Sequence, residues 1–215
     1  MPLRIYNSLI KDKEEFQPLE KGRVKMYVCG PTVYDEPHIG HLRSAAIFNL
    51  IRRYLEFSGL KVMFVRNVTD VDDKIIDKAK KAGETDLNAA AAQVAEKYFA
   101  WYKKDLRRMG ISEPDVEPRA MTHIPEMIRL IEGLIQKGAA YACEGDVYFN
   151  VQGFSDYGKL SHQKKDAILQ NVRIEKNDKK KDVLDFALWK SAKEGEPSWP
   201  SPWGNGRPGW HIECS

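Results

Sequence analysis

The stretch "RVKMYVCGPTVYDEPHIGHLRSAAIFNLIRRYLEFSGLKVMFVRNV" (Arg23 to Val68) holds two apolar runs separated by a loop and a helix-like segment. Arg23 to Gly30 is short, mostly apolar and stops at Gly-Pro, which predicts a buried strand. Leu42, Ala46, Ile47, Leu50, Ile51, Tyr54 and Leu55 then recur at helical spacing, with Arg43, Arg52, Arg53 and Glu56 mostly off that stripe. Gly59 suits a helix stop. Lys61 to Val68 is a second continuous apolar run, the pattern of a strand covered on both faces. Strand, helix and strand at this spacing form a βαβ unit, with a parallel pair and a right-handed crossover. The fold class is therefore α/β.

Working outward, "TDVDDKIIDKAKKAG" predicts a helix capped by Thr69 or Asp70, with acids in its first turn and lysines before Gly83. The DVDDK carboxylates read as helix-start residues, not as a metal box. "DLNAAAAQVAEKYFAWYKKDLRRMG" predicts a longer helix with Leu87, Ala91, Val94, Tyr98, Trp101 or Tyr102, Leu106 and Met109 as its apolar stripe. The acids and prolines of "ISEPDVEPRAMT" mark a boundary. Beyond it come a helix from cap Thr122 to stop Gly138, a hairpin turning near Glu144 to Asp146, loop, a flexible basic tip at Lys179 to Lys181, and an apolar run from Val183 to Trp189. The last segment, "GEPSWPSPWGNGRPGWHIECS", is expected to be a structured loop that returns to the core, because Trp199, Trp203 and Trp210 need surfaces to pack on.

Composition restricts the class without naming the chemistry. The 215 residues carry 34 Lys+Arg and 31 Asp+Glu, so no dominant basic field announces nucleic acid. Three cysteines are too few and too odd for a disulfide framework. The absence of a long apolar run and of a signal-peptide core predicts a cytoplasmic protein with reduced thiols and no membrane association.

The loop between strand and helix is the first candidate site. Ligands of open parallel sheets sit outside the carboxyl ends of strands, where helix N-termini point. His38, Gly40 and His41 fall there, with backbone N–H groups suited to an anion and imidazoles able to donate to a phosphate. Gly40 would let a flat ligand such as a nucleobase approach the backbone. Cys29 and Cys214, 185 residues apart, are the second candidate. Spacing alone leaves open a disulfide, two unrelated buried thiols or a metal site, since no C-x-x-C pair is present. Cys143 reads as a packing residue.

"HIGH" at His38–His41 resembles the signature of class I aminoacyl-tRNA synthetases. With "YVCGPTVYDEPHIGH", "FVRNVTDVDDKI", "DFALWK" and "SPWGNGRPGWHIECS", the chain resembles cysteinyl-tRNA synthetases from about Arg4 to Ser215. The resemblance implies a Rossmann-like parallel sheet of the class I synthetase type with an α+β connective insertion. Residues 1–117 would be the first half of the catalytic domain, 118–197 the insertion, and 198–215 the return loop. It implies His38 and His41 as catalytic residues, His38, Gly40 and His41 as ATP-binding, and Gly30, Thr32, Thr69 and Trp210 as substrate-binding.

It further implies Zn2+ held by two cysteines, a histidine and a glutamate. The cysteines match Cys29 and Cys214. The other two ligands would lie beyond Ser215, since His211 and Glu213 do not match their positions. The implied substrates are L-cysteine, ATP with Mg2+ and tRNA(Cys), handled by a monomer. A thiol-specific metal would reject serine by coordination rather than by size. The family's KMSKS loop and anticodon-binding region have no counterpart here. The expectation is thus a piece of a longer protein, nearly inactive alone, with an incomplete zinc site. Two other readings share these motifs: a cysteine ligase of mycothiol biosynthesis, and a non-catalytic nucleotide- or metal-binding paralogue.

Overall fold

The computed structural model describes residues 3–83, 86–163 and 179–215. The chain starts with an antiparallel hairpin, Arg4–Asn7 (β1) with Asp12–Glu15 (β2). The predicted unit follows: Arg23–Val28 (β3), the helix Ile39–Phe57 (α1) and Lys61–Arg66 (β4). β3 and β4 pair in parallel with Arg23 opposite Lys61 and Val28 opposite Arg66. Ser58 caps α1, and Gly59 takes φ 87° to turn the chain into β4, a left-handed conformation that glycine adopts without strain.

Burial corrects one expectation. Along β4, Val62 and Phe64 are buried while Lys61 and Met63 are exposed, so the strand is covered on one face, not two. That covered face meets α1 through a cluster of Val28, Leu55, Val62 and Phe64.

Asp73–Lys81 (α2) and Leu87–Arg108 (α3) pack on each other and on the loop before α1, burying Val33, Val68, Ile75, Tyr98 and Tyr102. Of the pair left open, Tyr102 faces the core, whereas Trp101 is 39% exposed; Met109 also ends outside the core at 47%. The cap of α2 is Asp72, whose side chain accepts from the Lys74 N–H at 3.0 Å. Thr69 is not a cap. It bridges in parallel to Thr32, its N–H donating to the Pro31 carbonyl and its carbonyl accepting from the Val33 N–H.

The acid- and proline-rich segment read as a boundary extends the parallel sheet. Val116 bridges to Val65 and Arg119 to Val68, while Asp115 accepts from the Phe64 N–H at 2.7 Å. Next, Ile124–Gln136 (α4) starts at His123, without a side-chain cap; Thr122 instead donates to the Arg119 carbonyl. Ala140–Cys143 (β5) and Asp146–Phe149 (β6) form the expected hairpin. Its two turn residues, Glu144 and Gly145, both have positive φ (49° and 83°), the signature of a type I′ turn that matches strand twist. Phe186–Ser191 (β7) and Gly206–Pro208 (β8) complete an antiparallel sheet ordered β5-β6-β7-β8. Trp199 and Trp203 pack against its buried Trp189, as expected, but Trp210 is 60% exposed and does not anchor the loop.

The basic tip is only partly within the described residues. Lys179 pairs with Asp146 and Glu144, and Lys181 lies over the Tyr141 ring, so these two are tied to the hairpin rather than simply solvated. The sheet and the parallel unit are joined by charge: Asp73 at the start of α2 meets Lys190 at 2.7 Å and also Arg207, and Lys80 meets Glu196 at 2.8 Å. Among the described residues no helix is long and apolar enough to cross a membrane.

Candidate active site

The loop after β3 places its two histidines by backbone chemistry. His38 is the N-cap of α1, and its Nδ1 accepts from the Gly40 N–H at 3.1 Å. His41, three residues on, returns the bond: its Nδ1 accepts from the His38 N–H at 3.3 Å. Together they make a capping box built from imidazoles. The rings lie 3.9 Å apart, centroid to centroid. With both Nδ1 atoms accepting, each neutral ring carries its proton on Nε2, so both Nε2–H donors are free of the cap.

This differs from the expected anion cradle in one respect. The Gly40 N–H is taken by His38, and the His41 and Leu42 N–H groups bond the His38 carbonyl. Imidazole N–H groups replace backbone N–H groups as the outward donors. A Cβ on Gly40 would lie 2.8 Å from His38 Cε1, so its lack of a side chain serves the cap. Burial, and then the neighbouring His38, hold the His41 pKa below the ordinary histidine value of 6.5.

The two distant thiols converge at the end of β3. Cys29 Sγ and Cys214 Sγ are 3.3 Å apart, both exposed and unoxidised. Cys214 arrives on a 3₁₀ turn, Trp210–Cys214, that follows β8. Burial and the neighbouring Cys214 push the Cys29 thiol up to about 11. Tyr27, on the same strand end, is also raised, first by burial and then by its contact with Cys214.

Two residues join this cluster that the motifs did not single out as site residues. Asn67, 3% exposed at the end of β4, accepts from the Gly30 N–H at 2.8 Å and donates to Cys214 Sγ at 3.7 Å. One carboxamide thus touches both cysteine segments. An asparagine closing an otherwise apolar strand was the available signal. The second is Glu213, whose carboxyl is raised to about 8 by burial. With Tyr27, Asn67 and Cys214 it lines a cavity of about 490 Å³, to which His123 and Met127 of the α4 region also contribute.

The other expected site residues divide. Thr69 is buried beside Glu213, and its backbone bridge to Thr32 sets the base of the loop. Trp210 and His211 line a different, more polar cleft, shared with Asp73, Lys190 and Arg207. Gly30 is required sterically: a Cβ there would lie 1.7 Å from the Asn67 carbonyl oxygen. Gly30→Ala is expected to lower stability by about 3 kcal/mol or more, because backbone must move to relieve the overlap. Urea denaturation checks it, and an unchanged midpoint would contradict this packing.

A metal has a partial donor set here. Two sulfurs bound to one tetrahedral zinc at about 2.3 Å lie about 3.8 Å apart, so the thiol pair needs only a small adjustment. Among the described residues no group of three or more His, Cys, Asp and Glu side chains forms a metal cluster. The two thiols would supply two sulfur donors to a zinc ion.

Residues 15–215 match the family model "tRNA synthetases class I (C) catalytic domain". Curated relatives named cysteine–tRNA ligase include those of Brevibacillus brevis and Pyrococcus horikoshii, each 52% identical over 215 residues and all of this chain, and that of Anoxybacillus flavithermus, 53% identical over the same length. The chain spans less than half of these relatives, 44–45% of their length. Among solved structures, a putative arginyl-tRNA synthetase from Campylobacter jejuni superposes with a TM-score of 0.51 at 15% identity, over 66% of this chain and 40% of that one, a likeness of fold. The family match takes in β3, the histidine-capped α1 and both members of the thiol pair, and on it the chain belongs to the class I (C) tRNA synthetase catalytic-domain family.

Proposed function

We propose that the protein carries the amino-acid activation site of a cysteine–tRNA ligase, which forms cysteinyl-adenylate from L-cysteine and Mg-ATP and passes the cysteinyl group to tRNA(Cys). The observation that carries the reading is the approach of Cys29 and Cys214 to 3.3 Å at the carboxyl end of the strand that feeds the histidine loop. A thiol-binding centre and a phosphate-binding loop then share one strand end. In this reading β3, α1, β4 and residues 115–119 begin a Rossmann-like sheet within residues 1–117, with 118–197 as a connective insertion and 198–215 as the return segment.

The chemistry follows from the placement. A carboxylate oxygen of cysteine attacks the α-phosphorus of ATP; the new P–O bond forms as the bond to pyrophosphate breaks and pyrophosphate leaves with the electron pair. Negative charge grows on the phosphoryl oxygens, and the Nε2–H groups of His38 and His41 donate to it. In this role each ring accepts through Nδ1 and donates through Nε2–H. Gly40 keeps the cap compact beneath the nucleotide. Cys29 and Cys214 would hold zinc, which when bound supplies a soft Lewis acid for the substrate thiol. Thr32, Thr69 and Gly30 shape the floor beside them, and Trp210 would close the site from the neighbouring cleft. A ribose hydroxyl at the tRNA 3′ end then attacks the carbonyl of the adenylate, and AMP leaves.

The test is ATP–pyrophosphate exchange by the intact protein with L-cysteine, L-serine or no amino acid. Exchange dependent on cysteine and at background with serine is expected. Equal exchange with both amino acids, or none with cysteine, would overturn the proposal.

A further inference from the structure

We infer that Glu213 is a substrate-binding residue that receives the α-ammonium of the bound amino acid, which makes the site selective for vicinal aminothiols. The inference rests on the cysteine-activation reading and names a residue that the motifs did not supply. Glu213 stands next to Cys214 on the same 3₁₀ turn, and both line the cavity at the end of β3. Its Oε2 is fully buried and has no hydrogen-bond partner among the described residues. The Thr69 side chain hydrogen-bonds the same carboxyl. A buried carboxyl oxygen without a partner is costly, so an ammonium donor arriving with the ligand would relieve it.

The ligand chemistry follows from adjacency. Cys214 and its partner Cys29 meet a sulfur, directly or through a metal. The carboxylate one residue away meets whatever the ligand carries on the neighbouring carbon. In a vicinal aminothiol that group is an ammonium, the strongest donor available to a carboxylate. Tyr27, Asn67 and the two thiols beside Glu213 carry no positive charge, and the Arg119 that lines the same cavity is paired with Glu96 at 2.8 Å.

Calorimetric titration of the zinc-loaded protein with three thiols tests this. Cysteamine carries thiol and ammonium, 3-mercaptopropionate carries thiol and carboxylate, and L-cysteine carries all three groups. Wild type is expected to bind cysteamine at least tenfold more tightly than 3-mercaptopropionate. In Glu213→Gln, which keeps size and shape, that preference should disappear, with 3-mercaptopropionate affinity unchanged and zinc retained. An equal loss for all three thiols, or loss of zinc, would assign Glu213 a structural role and overturn the inference. So would a wild type that shows no preference, whatever the variant does. If wild type binds cysteine but the variant keeps the preference, the inference falls and the cysteine reading stands. If wild type binds none of the thiols, both fall.

Discussion

Replacing His41 with alanine is expected to slow cysteine-dependent ATP–pyrophosphate exchange by about 10²–10³-fold, the usual cost of removing one donor aimed at a developing phosphoryl charge. Cysteine affinity should change far less, because the thiol pair sits at the other end of the loop. Alanine also opens the capping box, which by itself costs about 1 kcal/mol of helix stability. His41→Gln separates the two effects. Glutamine at this third helical position can still accept from the His38 N–H, so stability should return while exchange stays slow. A His41→Gln protein with wild-type exchange would remove His41 from the chemistry.

The pH dependence adds a second reading of the same residue. Burial and His38 lower the His41 pKa, so the neutral ring survives below pH 6.5. A depressed folded-state pKa stabilises the fold above the ordinary histidine value, and that contribution is lost as pH falls through the folded-state value. The acid limb of exchange should therefore have its midpoint below 6.5, and His41→Gln should lack that limb.

Removing either thiol of the pair is the second large effect. Cys29→Ala and Cys214→Ala are each expected to weaken zinc binding at least about 100-fold, beyond the loss typical of an outer-shell partner. Both thiols must be deprotonated to bind metal, so one left alone is a poor site. The double variant should be hardly worse than either single one, as expected for two residues sharing one ligand. Cys143→Ala should bind zinc like wild type, since Cys143 ends β5 away from the pair. Competition with a chromophoric chelator measures all four variants against wild type. Independent, additive losses for Cys29 and Cys214 would show that the two thiols do not share an ion.

The parallel unit was legible because its elements carry strong local patterns. Two apolar runs, a helical stripe and a glycine stop left little freedom from Arg23 to Arg66. The hairpin at Glu144 and Gly145 was legible for the same local reason. Where several residues could do one job, the choice was made by contacts distant in sequence. In "TDVDD" four residues can cap a helix, and Thr69 was withdrawn from that role by its pairing with Thr32. Trp101 and Tyr102 differ by one position, and the packing of α2 against α3 decided which ring went inside.

The segment at 111–119 carries the prolines and acids usual in linkers, and its sheet contacts have no signal of their own in that pattern. Here Asp115 bonds the Phe64 N–H, and the backbone on either side continues the sheet. Of the candidate site, the histidine pair was readable from four consecutive letters. The thiol pair was named by the family resemblance alone, because spacing across 185 residues says nothing of a 3.3 Å approach. Asn67 offered only its place after an apolar run, and Glu213, which lines the cavity beside Cys214, has no local pattern of its own.

The reciprocal imidazole cap on α1 also has an entropic side. A surface histidine ordinarily samples several rotamers, and a ligand must select one at a cost in affinity. His38 and His41 surrender that freedom when the helix forms, since each ring is pinned by a backbone N–H of the other's segment. Their orientation is then a property of the folded chain, and a phosphate bound there would meet donors already at rest.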